Sequence, residues 1–338
     1  MQKILKKYYD TKKFTEILYE DYLDEISAAK KAGQKFAYYT NAETALKLFQ
    51  KESSLWMRST QCMNDYAEIS YGVKLLKLAL DSQAGQALKD AIANAANVEE
   101  LNAGHPVNSI DRVFMNLDIF AEDVIRRSYV ACLSEHREDL ENEFGRLSMW
   151  RAYGKNSGVA IICNGDQILS QNLLLGVVAR KVRYSNADDV ENIIHSLAER
   201  IKLNSELIKS ISQKEFNFWV RGYFASLLIC IKHPSFFEEA EWRLIYWEGW
   251  AGKRAIKLNI ECLDGIPQKV YKIPLKKIRH RLGVQSFDLS LSKILNCVLI
   301  GPTDFPELVG EALESKLKEH SIEDLHDKIR ITNIPLRQ

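Results

Sequence analysis

Glu238-Glu239-Ala240-Glu241-Trp242-Arg243 runs straight into Leu244-Ile245-Tyr246-Trp247, and the fold turns on how these ten residues are read. The β-branched and aromatic run at its end makes the stretch a strand. Side chains alternate faces along a strand, so Glu239, Glu241 and Arg243 point one way and Ala240, Trp242 and Leu244 the other. One face packs into a core. The other carries a guanidinium and two carboxylates about 7 Å apart, which repel modestly unless a cation lies between or over them. That arrangement suits a site that binds hydroxyls or stabilises a developing cation. A solvated edge strand whose charges pair with neighbours would carry the same signature, because charged residues usually lie on the surface.

The whole chain has 338 residues, enough for one large domain or two small ones, and its 46% hydrophobic and 27% charged residues are ordinary for a globular protein. Lys and Arg (46) nearly cancel Asp and Glu (45), leaving +1. That balance offers no global argument for nucleic-acid binding, although a local basic groove remains compatible with it. The basic N-terminus, Met1 to Asp10, has no apolar segment after it and does not read as a secretory signal. The longest apolar run, Phe224 to Ile231, is too short for a bilayer. The six cysteines are Cys62, Cys132, Cys163, Cys230, Cys262 and Cys297; they are scattered, and none forms a CxxC pair. The expectation is buried reduced thiols in a cytosolic protein. His320 and His326, six apart, do not share a helical face at ligand distance, and no metal site is expected.

Periodicity places a helix over 3–33 ended by Gly33, a strand over 35–40, and a helix over 44–49 capped by Asn41. A short strand or turn is expected over 55–58. Residues 65–101 and 109–127 read as helices around the breaker Gly104-His105-Pro106. Strands are expected at 129–133, 158–163 and 177–182, then a long helical stretch over 188–231, broken near Gln213. Further strands follow at 242–247, 255–258, 270–273 and 294–300, a helix at 307–319 and a last strand at 329–334. Short strands separated by long helical insertions define an α+β domain with a mixed or antiparallel sheet. The expected division is an N-terminal helical extension, 1–35, and a single domain, 36–338, with insertions at about 66–128 and 188–231. Neither GxGxxG nor GxxxxGK[ST] occurs.

Three polar-aromatic clusters accompany the glutamates. Tyr38-Tyr39-Thr40 ends a strand before the capped helix. Arg58 to Asp65 reads as a cap or turn before a helix. In Ser148 to Gly154, Trp150 and Tyr153 can stack on a planar ring or equally staple a helix end to the core.

In this order the blocks resemble the bacterial domain-of-unknown-function 2971 family. The resemblance rests on Asn64-Asp65 with Glu68, Leu133-Ser134, Met149-Trp150-Arg151-Ala152-Tyr153 to Gly158, Glu239 to Arg243, and Leu299-Ile300-Gly301. It spans about residues 36–301. Tyr66 stands where the family pattern has a proline. The block order is also similar to the ADP-ribosyltransferase fold, whose members bind NAD in a cleft between two small sheets. That resemblance implies a split sheet and NAD as substrate. It implies Tyr38, Tyr39 and Thr40 at the nicotinamide ribose, Trp150 and Tyr153 beside nicotinamide, and Arg58 or Arg151 at the pyrophosphate. Glu241 would stabilise the oxocarbenium ion near the ribose 2′-hydroxyl, and Glu239 would orient or deprotonate the acceptor. The first block lacks the His or Arg that many such enzymes use. By the same resemblance the acceptor is a protein, RNA or DNA, and the protein is a toxin or antiphage-defence effector restrained by an antitoxin-like partner. Two rivals stand beside it. One is a nuclease-like or nucleic-acid-binding effector using Asp65, Glu68 and Glu241 with Mg²⁺. The other is a non-enzymatic nucleotide sensor using the same cleft.

Overall fold

The computed structural model describes residues 2–62, 66–95, 113–114, 116–170, 175–249, 256–263, 265–279, 286–320, 322, 324–332 and 334. Its spine is strand β3 (Ser128–His136). One edge of β3 pairs antiparallel with β8 (Glu241–Trp247), from Ser128↔Trp247 to Ser134↔Glu241. The other edge is shared. There β2 (Ser54–Ser59) pairs only at Val130 and Tyr129, and β1 (Lys35–Asn41) only at Ser134 to His136. Between those two pairings, at residues 131–133, β1 and β2 part and the sheet opens.

Two wings extend from the opening. β1 continues to β4 (Ser157–Asn164) and β13 (Leu295–Thr303), and then to β14 (Ile329–Ile331), which runs parallel to β13. β2 continues to a hairpin of β10 (Ile266–Pro274) and β9 (Lys257–Leu263). The far edge of β8 pairs with β5 (Val177–Lys181). A separate parallel pair joins β6 (Arg183–Tyr184) to β7 (Ile231–Lys232), and a separate antiparallel pair joins β11 (Lys277–Arg279) to β12 (Ser286–Asp288). The protein is thus α+β with a mixed, open sheet.

β8 decides the layering. Ile245 and Trp247 face a core built with helices α1 (Gln2–Leu18), α4 (Tyr66–Asp81), α5 (Gln83–Ala95), α6 (Leu117–Arg127), α7 (Ala187–Leu203) and α8 (Gln213–Cys230). Trp242, Leu244 and Tyr246 face a second core closed by α3 (Ala42–Leu48) and α9 (Pro306–Lys318). All seven residues of β8 are buried. The solvated-edge alternative is therefore wrong: β8 is a central strand, and its charges satisfy one another inside the protein.

Other elements differ in detail. The expected first helix is two, α1 and α2 (Glu20–Lys31), parted at Tyr19. Neither is a free extension, because Phe14, Leu18, Tyr19 and Tyr22 are buried in the helical core. Arg180 and Arg183 stack on the Tyr22 ring from β5 and β6, each 4.6 Å from its centroid. The long stretch over 188–231 breaks at Asn204 as well as before Gln213. The β9–β10 hairpin is far longer than the short strands expected there, because few of its side chains face a core: only Gln268, Val270 and Ile273 are buried. Residues 63–65 and 96–112, which include Asn64-Asp65 and the Gly104 breaker, lie outside the described residues. Among the described residues no helix is long and apolar enough to cross a membrane.

Candidate functional site

A cavity of about 420 Å³ fills the opening between β1 and β2. β1 ends there because Asn41 accepts a hydrogen bond from the Thr44 amide at 2.9 Å and starts α3, leaving Tyr38, Tyr39 and Thr40 on the wall. Trp56 and Arg58 line it from β2, Tyr153 and Lys155 from the turn before β4, Glu239 from the turn before β8, and Glu241 and Arg243 from the start of β8. Glu68 of α4 and Lys232 of β7 complete the charged end.

That end is a buried ion cluster. The Lys232 ammonium lies 2.6 Å from Glu68 Oε1, 2.7 Å from Glu239 Oε2 and 3.3 Å from Glu241 Oε2. Arg243 donates from Nε to Glu241 Oε1 and from Nη2 to Glu68 Oε2, both at 2.7 Å, and from Nη2 to Glu241 Oε2 at 3.0 Å. Its Nη1 donates to the Ile229 carbonyl at the end of α8. Three carboxylates thus face two cations. Buried charges persist only when paired and hydrogen-bonded, which this lattice achieves.

The two paired glutamates are held differently. Burial works against the Glu241 charge, but Arg243 and Lys232 outweigh it and hold the carboxyl at about 2. Burial pushes the Glu239 carboxyl above the usual range; Lys232 opposes that rise, and Glu241 and Glu68 add to it. Burial likewise drives up the Cys132 thiol and the Tyr153 phenol, with Glu241 adding to both. Tyr38 is raised by burial to about 12. At neutral pH the wall therefore offers protonated phenols and ionised Glu241.

Sequence alternation placed both glutamates on one strand. In the structure β8 begins at Glu241, and Glu239 ends a 3₁₀ turn, Pro234–Glu239. Ala240 between them is left-handed, with φ +43°. That kink, unusual for a residue with a Cβ, swings Glu239 back onto Lys232 beside Glu241. Glu241 and Arg243 do share a face, as alternation requires.

Residues 149–244 match a protein family described as "Protein of unknown function (DUF2971)". The chain carries a DUF2971 segment. No curated protein and no solved structure matches it. The DUF2971 segment covers less than a third of the chain, yet it contains Tyr153, Lys232, Glu239, Glu241 and Arg243. Tyr38, Arg58 and Glu68 come to the cavity from outside it.

Within the DUF2971 segment two expected cofactor contacts are corrected. Trp150 is fully buried and does not line the cavity. Its ring packs edge-on to Tyr39 at 4.8 Å, and its Nε1 donates to the Phe144 carbonyl. A Cβ on Gly301 would lie 2.6 Å from the indole, and one on Gly158 3.0 Å, so glycine is what admits it. Trp150 staples the turn to the sheet. Arg151 is exposed and points away from the cavity wall. The reason is one of phase: Trp150–Gly154 forms a turn of π-helix, which turns Tyr153 inward and Arg151 outward. Tyr39 lines the cavity, but its hydroxyl already accepts from the Arg146 amide at 2.8 Å.

Lys232, the hub, escaped the sequence reading. Its signal was a lysine directly after the unbroken apolar run that ends α8. Asp65, the third member of the metal alternative, lies outside the described residues. Its other members, Glu68 and Glu241, both hold Lys232 and Arg243.

Proposed function

We propose that the protein is an NAD-consuming ADP-ribosyltransferase whose reaction takes place in the cavity between β1 and β2. The observation that carries this reading is the parted sheet, with tyrosines and Arg58 on one side of the opening and Glu239 and Glu241 on the other. A cavity of about 420 Å³ falls among small-molecule sites, which run from about 300 to 1,000 Å³. Tyr38 and Tyr153 offer ring faces to nicotinamide. Arg58 donates from Nε to Gln268 at 3.2 Å, and among the described residues it pairs with no carboxylate, so its guanidinium suits a pyrophosphate. The carboxylates suit a ribose hydroxyl and the cationic character that grows at C1′.

In the reaction the C1′–N bond breaks and its electron pair leaves with nicotinamide. An acceptor nucleophile then bonds to C1′ and gives up its proton. The acceptor, by the resemblance of the sequence blocks, is a protein, RNA or DNA, and the biological setting a toxin or antiphage-defence effector with an inhibitory partner. The test is transfer of label from adenylate-labelled NAD to the protein or nucleic-acid fraction of a lysate, with and without chelator. Transfer that survives chelator supports the reading. Activity on nucleic acid that needs a divalent ion and no NAD would replace it with the metal-dependent alternative.

A further inference from the structure

We infer that Glu239, rather than Glu241, is the carboxylate that meets a hydroxyl-bearing ligand in the cavity, and that Glu241 serves as a fixed counter-ion. The ligand class, a ribose, rests on the function proposed above; the division of labour rests on the geometry of the two side chains.

Glu241 has little left to give. Oε1 accepts from Arg243 Nε, and Oε2 accepts from Arg243 Nη2 and Lys232 Nζ. The Cys132 thiol adds a further hydrogen bond. A carboxylate has about four lone-pair sites, and these donors use them. The residue is 5% exposed. A ligand hydroxyl would have to displace a buried cation to reach it.

Glu239 differs on each count. Its side chain is 18% exposed and lines the cavity. Oε2 accepts from Lys232 at 2.7 Å, and among the described residues Oε1 has no partner. Its backbone is clamped. Ser134 Oγ donates to the Glu239 carbonyl at 2.5 Å, and Arg146 Nη1 donates to the Glu238 carbonyl at 2.5 Å and to Ser134 Oγ at 2.7 Å. The Ala240 amide donates back to Phe237 at 3.1 Å. A carboxylate with one anchored and one open oxygen, on a fixed backbone, is the arrangement that orients a hydroxyl. Burial also makes Glu239 the more basic of the two, as a proton acceptor requires.

The test labels carboxylates in the folded wild-type protein with a water-soluble carbodiimide and an added amine, mapped by peptide mass spectrometry, with and without ADP-ribose. Glu239 is expected to react, with the added amine or with Lys232, while Glu241 stays unmodified until the protein is unfolded. ADP-ribose should slow the reaction at Glu239. Modification of Glu241 at the rate of Glu239 would overturn the inference. Reaction at Glu239 that ADP-ribose does not slow would leave the division of labour standing and count against the NAD reading instead. As a second arm, Glu239→Gln should lower nicotinamide release by roughly a hundred- to a thousand-fold with an unchanged melt; full activity in that variant would also overturn the inference.

Discussion

Replacing Glu241 by Gln keeps the side chain's shape and removes one charge from the cluster on β8. Its carboxyl sits at about 2 in the folded protein against an ordinary 4.5. That difference corresponds to about 3 kcal/mol of preference for the charged form in the native state. Breaking a buried pair typically costs about 3–5 kcal/mol, so the two routes agree. The sign follows from the depressed value. The stabilisation is fully present above the unfolded carboxyl's range and is lost as pH falls from about 4.5 toward 2. Urea unfolding, followed by tryptophan fluorescence at a series of pH values, measures it. At neutral pH the variant should be less stable than wild type by about 3 kcal/mol, and the gap should narrow steadily below about 4.5. A gap within about 0.5 kcal/mol at neutral pH, typical of a surface change, would refute the buried cluster. A gap that does not change with pH would show that the loss has another origin.

Other outcomes follow from the same structure. Gly301→Ala places a Cβ 2.6 Å from the Trp150 ring and should cost about 1–3 kcal/mol in a thermal or urea melt, whereas a neutral result would show room around the indole. Among the cysteines, Cys262 is exposed while Cys163, Cys230 and Cys297 are buried. A thiol reagent should therefore take Cys262 first in the native protein, and denaturant without reductant should release all six. Fewer than six reactive thiols would reveal a disulfide.

The strands were legible where alternation or an apolar run was strong. β8, β3 and β4 carry buried patterns with few exposed positions, and the sequence marks each of them closely. The β9–β10 hairpin was partly hidden because the apolar alternation of Leu258, Ile260 and Cys262 lies on exposed positions and only Gln268, Val270 and Ile273 are buried. At the site, Tyr38, Tyr39, Thr40, Arg58, Tyr153, Glu239 and Glu241 do converge. Two features escaped a residue-by-residue reading. The π-helical turn at Trp150–Gly154 changes which side chain points inward, and no helical period announces it. The left-handed Ala240 holds the start of the strand to Glu241 and lets Glu239 fold back. Lys232 was missed for a further reason: its meaning comes from three carboxylates that are distant in sequence or lie beyond a turn.

The proposed reaction is cleavage of NAD in this cavity. Its most direct measurement is nicotinamide release from NAD by the purified protein, wild type beside Glu239→Gln, with thermal melting of both as the control for folding. Wild type is expected to release nicotinamide, with a loss of roughly a hundred- to a thousand-fold in the variant at an unchanged melt. A folded wild-type protein that releases no nicotinamide, alone or with the protein and nucleic-acid fractions of a lysate, would contradict it.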